Sequence, residues 1–189
     1  MIRPQHVVNI VLDEAAKLGR ADETMVLVTD KVEATLRWAG NSMTTNGVSV
    51  SRSITVISVV RRGSGARIGT VVSAEADPRV LPGLVAASQE AAGSAPEAGD
   101  AAPLLGDAGV PADWDAPAPG TGPLVFADLA DSLGRGFGGT DRLYGFAHHS
   151  VSTTFLASST GLRRRFSQPT GAVEINAKRG DASAWAGVG

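Results

Sequence analysis

The chain has 189 residues, 43% of them hydrophobic, a formal net charge of −2 and no cysteine. That is enough apolar material for one large domain or two small ones, while the missing cysteines exclude disulfides, thiolate zinc sites and a cysteine nucleophile. The charge balance supplies no basic field for gathering phosphates, so nucleic acid is not an expected partner.

In chain order, Pro4 to Leu18 places Val7, Ile10, Val11, Ala15 and Leu18 on one face, with Pro4 suited to a first helical turn and Gly19 to a helix end. A short apolar run from Thr24 to Val28 is followed by the polar pair Asp30-Lys31. Val32, Ala34, Leu36 and Trp38 then alternate, which reads as two antiparallel strands. Gly40-Asn41-Ser42 and Thr45-Asn46-Gly47 carry turn chemistry ahead of a β-rich stretch from Val48 to Val60. Gly63-Ser64-Gly65 turns the chain into a strand from Ala66 to Ser73, and Asp77-Pro78 opens a second helix carrying Val80, Leu81, Leu84, Val85 and Ala92, its start open to delay by Pro82-Gly83.

Ser94 to Gly122 is dominated by Ala, Pro, Gly and Asp and lacks periodicity, so it reads as a loop or linker, in which Trp114 is expected to be of little structural weight. An amphipathic helix follows at Leu124 to Leu133, then a glycine-rich turn, then β segments near Leu143 to Ser158, Leu162 to Phe166 and Ala172 to Ala177. The resulting division is a first unit over 1–93, a flexible linker or loop over 94–122 and a second unit over 123–189, which stops just after β sequence without an evident cap, as a truncated or split product would.

The two halves echo one another. Val32-Glu33-Ala34-Thr35-Leu36, Val48-Ser49-Val50-Ser51-Arg52 and Arg61-Arg62-Gly63 are matched by Val151 to Leu156, Leu162 to Arg165 and Lys178-Arg179-Gly180. The fold class expected is α+β, built from two related helix-plus-antiparallel-sheet units.

Chemistry-bearing motifs are few. Gly134-Arg135-Gly136-Phe137-Gly138-Gly139 fits G-x-G-x-x-G, yet it follows helical periodicity and precedes β sequence, the reverse of a dinucleotide site, and reads as a turn. His148-His149 falls on a strand, where neighbours point to opposite faces and cannot share one ion, and His6 stands apart near the start. Arg163-Arg164-Arg165 suits a phosphate or carboxylate clamp, with a mostly solvated strand as the favoured reading. No catalytic, cofactor-binding or metal-binding residue is assigned.

Leu36-Arg37-Trp38-Ala39-Gly40-Asn41-Ser42, the strand after Asn46-Gly47, Ile68-Gly69-Thr70-Val71-Val72 and Phe155-Leu156-Ala157-Ser158-Ser159-Thr160-Gly161-Leu162-Arg163 together resemble the amino-terminal region of the TldD/PmbA metallopeptidase family, nearer its TldE branch. Ser158 stands where that family commonly has Asn. The resemblance implies a non-catalytic portion of a cytoplasmic TldE-like subunit that works with a TldD-like partner on unfolded or flexible peptides. Zinc is expected in that partner and no cofactor in this chain. Neither nucleic acid nor membrane is an expected partner, and the acidic balance lends nothing to the gyrase-modulator label such proteins have carried. The alternative is an assembly module that mediates dimerisation with the TldD-like subunit without touching peptide.

Overall fold

The computed structural model describes residues 2–99, 102–106 and 109–189. It has an α+β fold with three α-helices and a six-stranded antiparallel sheet. Helix α1 is Pro4–Leu18, starting on a proline and closed by Gly19 at φ 61°. Its buried face is Val7, Val8, Val11 and Ala15, and Ile10 packs from the edge of the core.

Strand β1 is Glu23–Trp38, a single strand where the sequence suggested two. Asp30 does not break it, because the Arg52 guanidinium grips both carboxylate oxygens, Nε donating to Oδ1 at 2.5 Å and Nη2 to Oδ2 at 2.6 Å. Nη1 of Arg52 donates to the Ile2 carbonyl, so each of the three nitrogens of a cation whose side chain is 3% exposed has a partner.

β1 turns into β2, Met43–Arg62, at Gly40 and Asn41, whose φ angles are 60° and 67°. Ala39 and Ser42 exchange backbone hydrogen bonds across these two residues. Two consecutive positive φ values are what a two-residue hairpin of the right twist demands, and Gly and Asn tolerate them. Thr45-Asn46-Gly47, the second expected turn, instead lies inside β2: with the reversal already made at 40–41, this segment is drawn into the sheet.

β3, Gly65–Ser73, pairs antiparallel with β2 from Arg62↔Gly65 to Ile54↔Ser73. Helix α2 is Leu81–Ser94, later than Asp77-Pro78, with Pro82 in its first turn and Val80 left exposed. It buries Leu81, Val85 and Ala92, and its two buried polar residues are satisfied. Ser88 Oγ reaches the Val56 and Gly69 carbonyls and Ser58 Oγ, while Gln89 Nε2 donates to the Ala15 carbonyl.

A short 3-10 turn, Pro123–Phe126, leads into α3, Ala127–Phe137. The helix runs past Leu133 and absorbs Gly134 and Gly136, so the expected glycine-rich turn begins only after Phe137. β4 is Arg142–Ser158 and β5 is Arg163–Arg179, one strand where two were expected. Pro169 does not end β5; it lies outside Val173 to Arg179, the stretch that pairs with β6, where a missing N–H breaks no bond to that neighbour. β6, Ala182–Val188, completes the sheet and was not anticipated.

The strand order is β3-β2-β1-β4-β5-β6. Counted outward from the central pair, each side reads first, second, third strand, each set preceded by a helix. This is the order that the sequence echo calls for.

Compact units cut across those repeats. One comprises Met1–Asp30, Ser51–Pro117 and Thr153–Phe166, the other Lys31–Val50, Ala118–Ser152 and Ser167–Gly189. The sequential division at 93 and 122 differs from this because strands β1, β2, β4 and β5 are long enough to serve one unit with one half and the second unit with the other. The first unit's core gathers α1, α2 and residues such as Val26, Val28, Ile54, Val56 and Phe155. The second unit's core holds Ala34, Leu36, Trp38, Phe126, Leu133 and Ala147.

The 94–122 segment is also more than a spacer. Trp114 is only 8% exposed and meets Phe155 edge-on at 5.5 Å between ring centres. The Gln5 amide donates to the Trp114 carbonyl at 2.6 Å, and Leu104 N–H donates to Glu23 Oε1. A Trp body has too much apolar surface to leave in water when a Phe face is available, and this corrects the expectation that Trp114 carries little weight.

Candidate functional site: an open strand edge beside an apolar cavity

The second unit contains a cavity of about 250 Å³ lined by Val125, Phe126 and Leu129 from the helical layer, His148 and His149 from β4, Gly171 to Val173 from β5, and the end of β6. Its wall is mostly apolar, as small-ligand and side-chain pockets are. His149 Nδ1 is 2.7 Å from Thr121 Oγ1, and His148 stacks on Phe146 with ring centres 6.1 Å apart and planes 11° from parallel. Each imidazole therefore has its own neighbour.

β6 borders this cavity at Val188, and Gly189 just beyond the strand also lines it. All of its residues, Ala182 to Val188, are exposed, none is charged, and on its inner side it pairs with Val173 to Arg179. As the last strand in the sheet order it presents unpaired N–H and C=O groups along its outer side. Trp185 is 65% exposed there, whereas Trp38 and Trp114 are buried.

Other residues singled out in the sequence are dispersed. His6 lies on the exposed side of α1. Gly134 and Gly136 are helical, far from the strand-to-helix geometry of a phosphate loop. In the arginine triplet, Arg163 bonds to the Ser158 and Leu162 carbonyls and Arg164 to the Arg163 carbonyl. Arg165 is not solvated as expected: its side chain is 5% exposed, bonds the Asp113 and Pro117 carbonyls, and sits 5.4 Å from the centre of the Phe155 ring. Of the three, Arg165 braces the 111–117 segment, while Arg163 and Arg164 bond carbonyls of their own strand and the turn before it.

Ser158 is buried, with Oγ 2.6 Å from Thr160 Oγ1 in the turn after β4. Among the described residues no three His, Asp or Glu side chains gather as a metal-ligand set. No helix among the described residues is long and apolar enough to cross a membrane.

The open edge of β6 was missed in the sequence because Ala182-Ser183-Ala184-Trp185-Ala186-Gly187-Val188 has little alternation. Its signal was the Asp181 turn after Lys178-Arg179-Gly180, echoing the turn at Gly63.

No protein-family profile matches the sequence, and no curated protein matches it. Solved structures do. TldE from Thermococcus kodakarensis superposes with a TM-score of 0.69 at 12% identity, over 96% of this chain and 42% of that one. A candidate modulator of DNA gyrase from Bacteroides thetaiotaomicron gives 0.68 at 12% identity, over 99% and 44%. Another from Thermotoga maritima gives 0.62 at 11% identity, over 97% and 42%. At such identities the likeness establishes the fold: this chain has the architecture of part of TldE, and it spans less than half the length of these structures. The sequence resemblance and the structural likeness lead to the same group of proteins.

Proposed function

We propose that the chain is the amino-terminal, non-catalytic region of a TldE/PmbA-like subunit of a zinc metallopeptidase complex acting on unfolded or flexible peptides. The observation that carries this is the match to TldE over nearly the whole chain, reached independently of the sequence motifs. In this reading the hydrolytic zinc and its ligands belong to a TldD-like partner in the cytoplasm, and this chain offers a surface to extended substrate.

The geometry that supports a peptide surface is the β6 edge. An extended chain adds to such an edge through main-chain hydrogen bonds, which select conformation over sequence, and alternate side chains fall to one face. The apolar cavity at the end of β6 is placed to take one of them.

The test is a titration of the chain with a short capped peptide of alternating Thr and Val, followed by backbone NMR and by tryptophan emission. Amide shifts confined to Ala182–Val188, with an emission change that is lost in Trp185→Phe, are the expected result. Saturating peptide that leaves β6 unshifted sinks the edge as the substrate surface. Binding of a TldD-like subunit without any peptide response favours the assembly module.

A further inference from the structure

Val173 and Ile175 pack into the second unit's core, so the residues that alternate with them on β5, Glu174 and Asn176, face the other side of the sheet. The register sets Asn176 opposite Trp185 and Glu174 opposite Gly187, and directly opposed residues share a face. The indole of Trp185 leans along β6 over Gly187. A Cβ at position 187 would lie 2.7 Å from Cζ2 and 3.0 Å from Cη2 of the ring, and 3.4 Å from Glu174 Cγ. The missing side chain at 187 is therefore what lets the ring reach Glu174. The same lean carries it away from Lys178, which is opposite Ser183 and sits 5.5 Å from the centre of the Tyr144 ring.

We propose that Trp185 and Glu174 form a subsite for one basic side chain, lysine or arginine, of an extended peptide added to β6. This rests on the reading of β6 as the substrate edge and names the class of peptide that the edge prefers. Both groups attract a cation, the indole through the negative face of its π-system and the carboxylate through its full charge. Neither is used within the chain: among the described residues the Glu174 carboxylate has no ion pair or hydrogen bond, and the cations that lie over rings, Arg165 and Lys178, occupy Phe155 and Tyr144. Trp185 is 65% exposed, so its ring is open to an incoming group. A peptide residue opposite Gly187 meets no side chain of that residue, only the indole above it, with Glu174 one strand further in. From an added strand to β5 is two strand spacings, about 9–10 Å. The long stems of Lys and Arg cross such a gap with the charge at the tip, whereas an acidic side chain there is repelled by Glu174.

The probes are capped heptapeptides of alternating Thr and Val whose central residue is Lys, norleucine or Glu, with affinities read from the backbone amide shifts of β6. Cation–π and carboxylate contacts at an exposed site are each worth a few-fold, so the Lys peptide should bind roughly five- to tenfold more tightly than the norleucine peptide, and the Glu peptide more weakly than either. Glu174→Gln and Trp185→Leu should each remove part of that margin. Asp131→Asn, which deletes an exposed carboxylate on α3, should leave it intact. Equal affinity for the Lys and norleucine peptides, with β6 shifting in both, overturns the basic subsite and leaves the edge standing. Equal losses in Glu174→Gln and Asp131→Asn overturn it too, since the preference is then a general pull of the net charge of −2. If no peptide shifts β6, the edge and the subsite fall together.

Discussion

Trp38 and Trp114 look unlike in sequence, one on an alternating strand and the other in a Pro- and Ala-rich stretch, yet both are buried. Trp38 lies in the second unit's core and Trp114 against Phe155 in the first. Truncating either to Ala is expected to cost roughly 3–5 kcal/mol, a large part of a total near 5–15 kcal/mol. Denaturant melts of the two variants check this, and a small loss for Trp114→Ala would mean that its contact with Phe155 is not maintained in solution. Asp77 makes a prediction in pH. Its carboxylate is held down to about 2, first by side-chain hydrogen bonding to Arg79 and then by the Arg79 backbone N–H. A carboxyl whose pKa is lowered on folding adds stability above its unfolded value near 3.8, and that contribution fades as pH falls toward 2. An NMR titration should show Asp77 still ionised at pH 3; in Arg79→Ala its midpoint should return toward the ordinary value.

At the scale of elements, most differences between expectation and structure are strands that continue through apparent breaks. Asp30-Lys31, Thr45-Asn46-Gly47 and Pro169 each resemble punctuation, and each lies within a strand. Local propensity was outweighed where a partner existed: Asp30 has Arg52, and Asn46-Gly47 follows a turn already made by Gly40-Asn41. Helix positions were more legible, since α1 matches its expected span and its amphipathic face needs only one apolar surface to cover it. The packing of α2 on β3 gives a sharp test. A Cβ at Gly69 would lie 2.2 Å from both the Ala92 nitrogen and the Ser88 carbonyl oxygen, backbone atoms of α2. Gly69→Ala must push the helix away and is expected to cost at least about 1–3 kcal/mol. Gly83→Ala, with nothing within 4 Å, serves as the control. Equal melting temperatures for these variants would show that α2 does not lie that close to β3.

For the whole molecule, the interval 94–122 is held at both a polar and an apolar anchor, and the anchors predict its proteolysis. Residues 111–117 are fastened by Trp114 and by Arg165, so this stretch should resist limited proteolysis in the unaltered chain. It should become cleavable in Trp114→Ala at a protease dose that leaves the parent intact there. Early cutting between 111 and 117 in the parent would count against the anchoring.

The three helices, the α+β class and the echo between halves were written in the sequence, because helical and strand periodicities are local and a repeat needs only comparison of the chain with itself. Trp38 could be placed inside for the same reason. Tertiary structure decided what depends on distant partners: that Arg52 makes Asp30 acceptable within a strand, that Arg165 and Phe155 draw in Trp114, and that long strands divide their lengths between two units. It also decided which strand edges remain open, since an edge is defined by the neighbour it lacks, and β6 and the first half of β2 acquire that property only when the sheet order is complete.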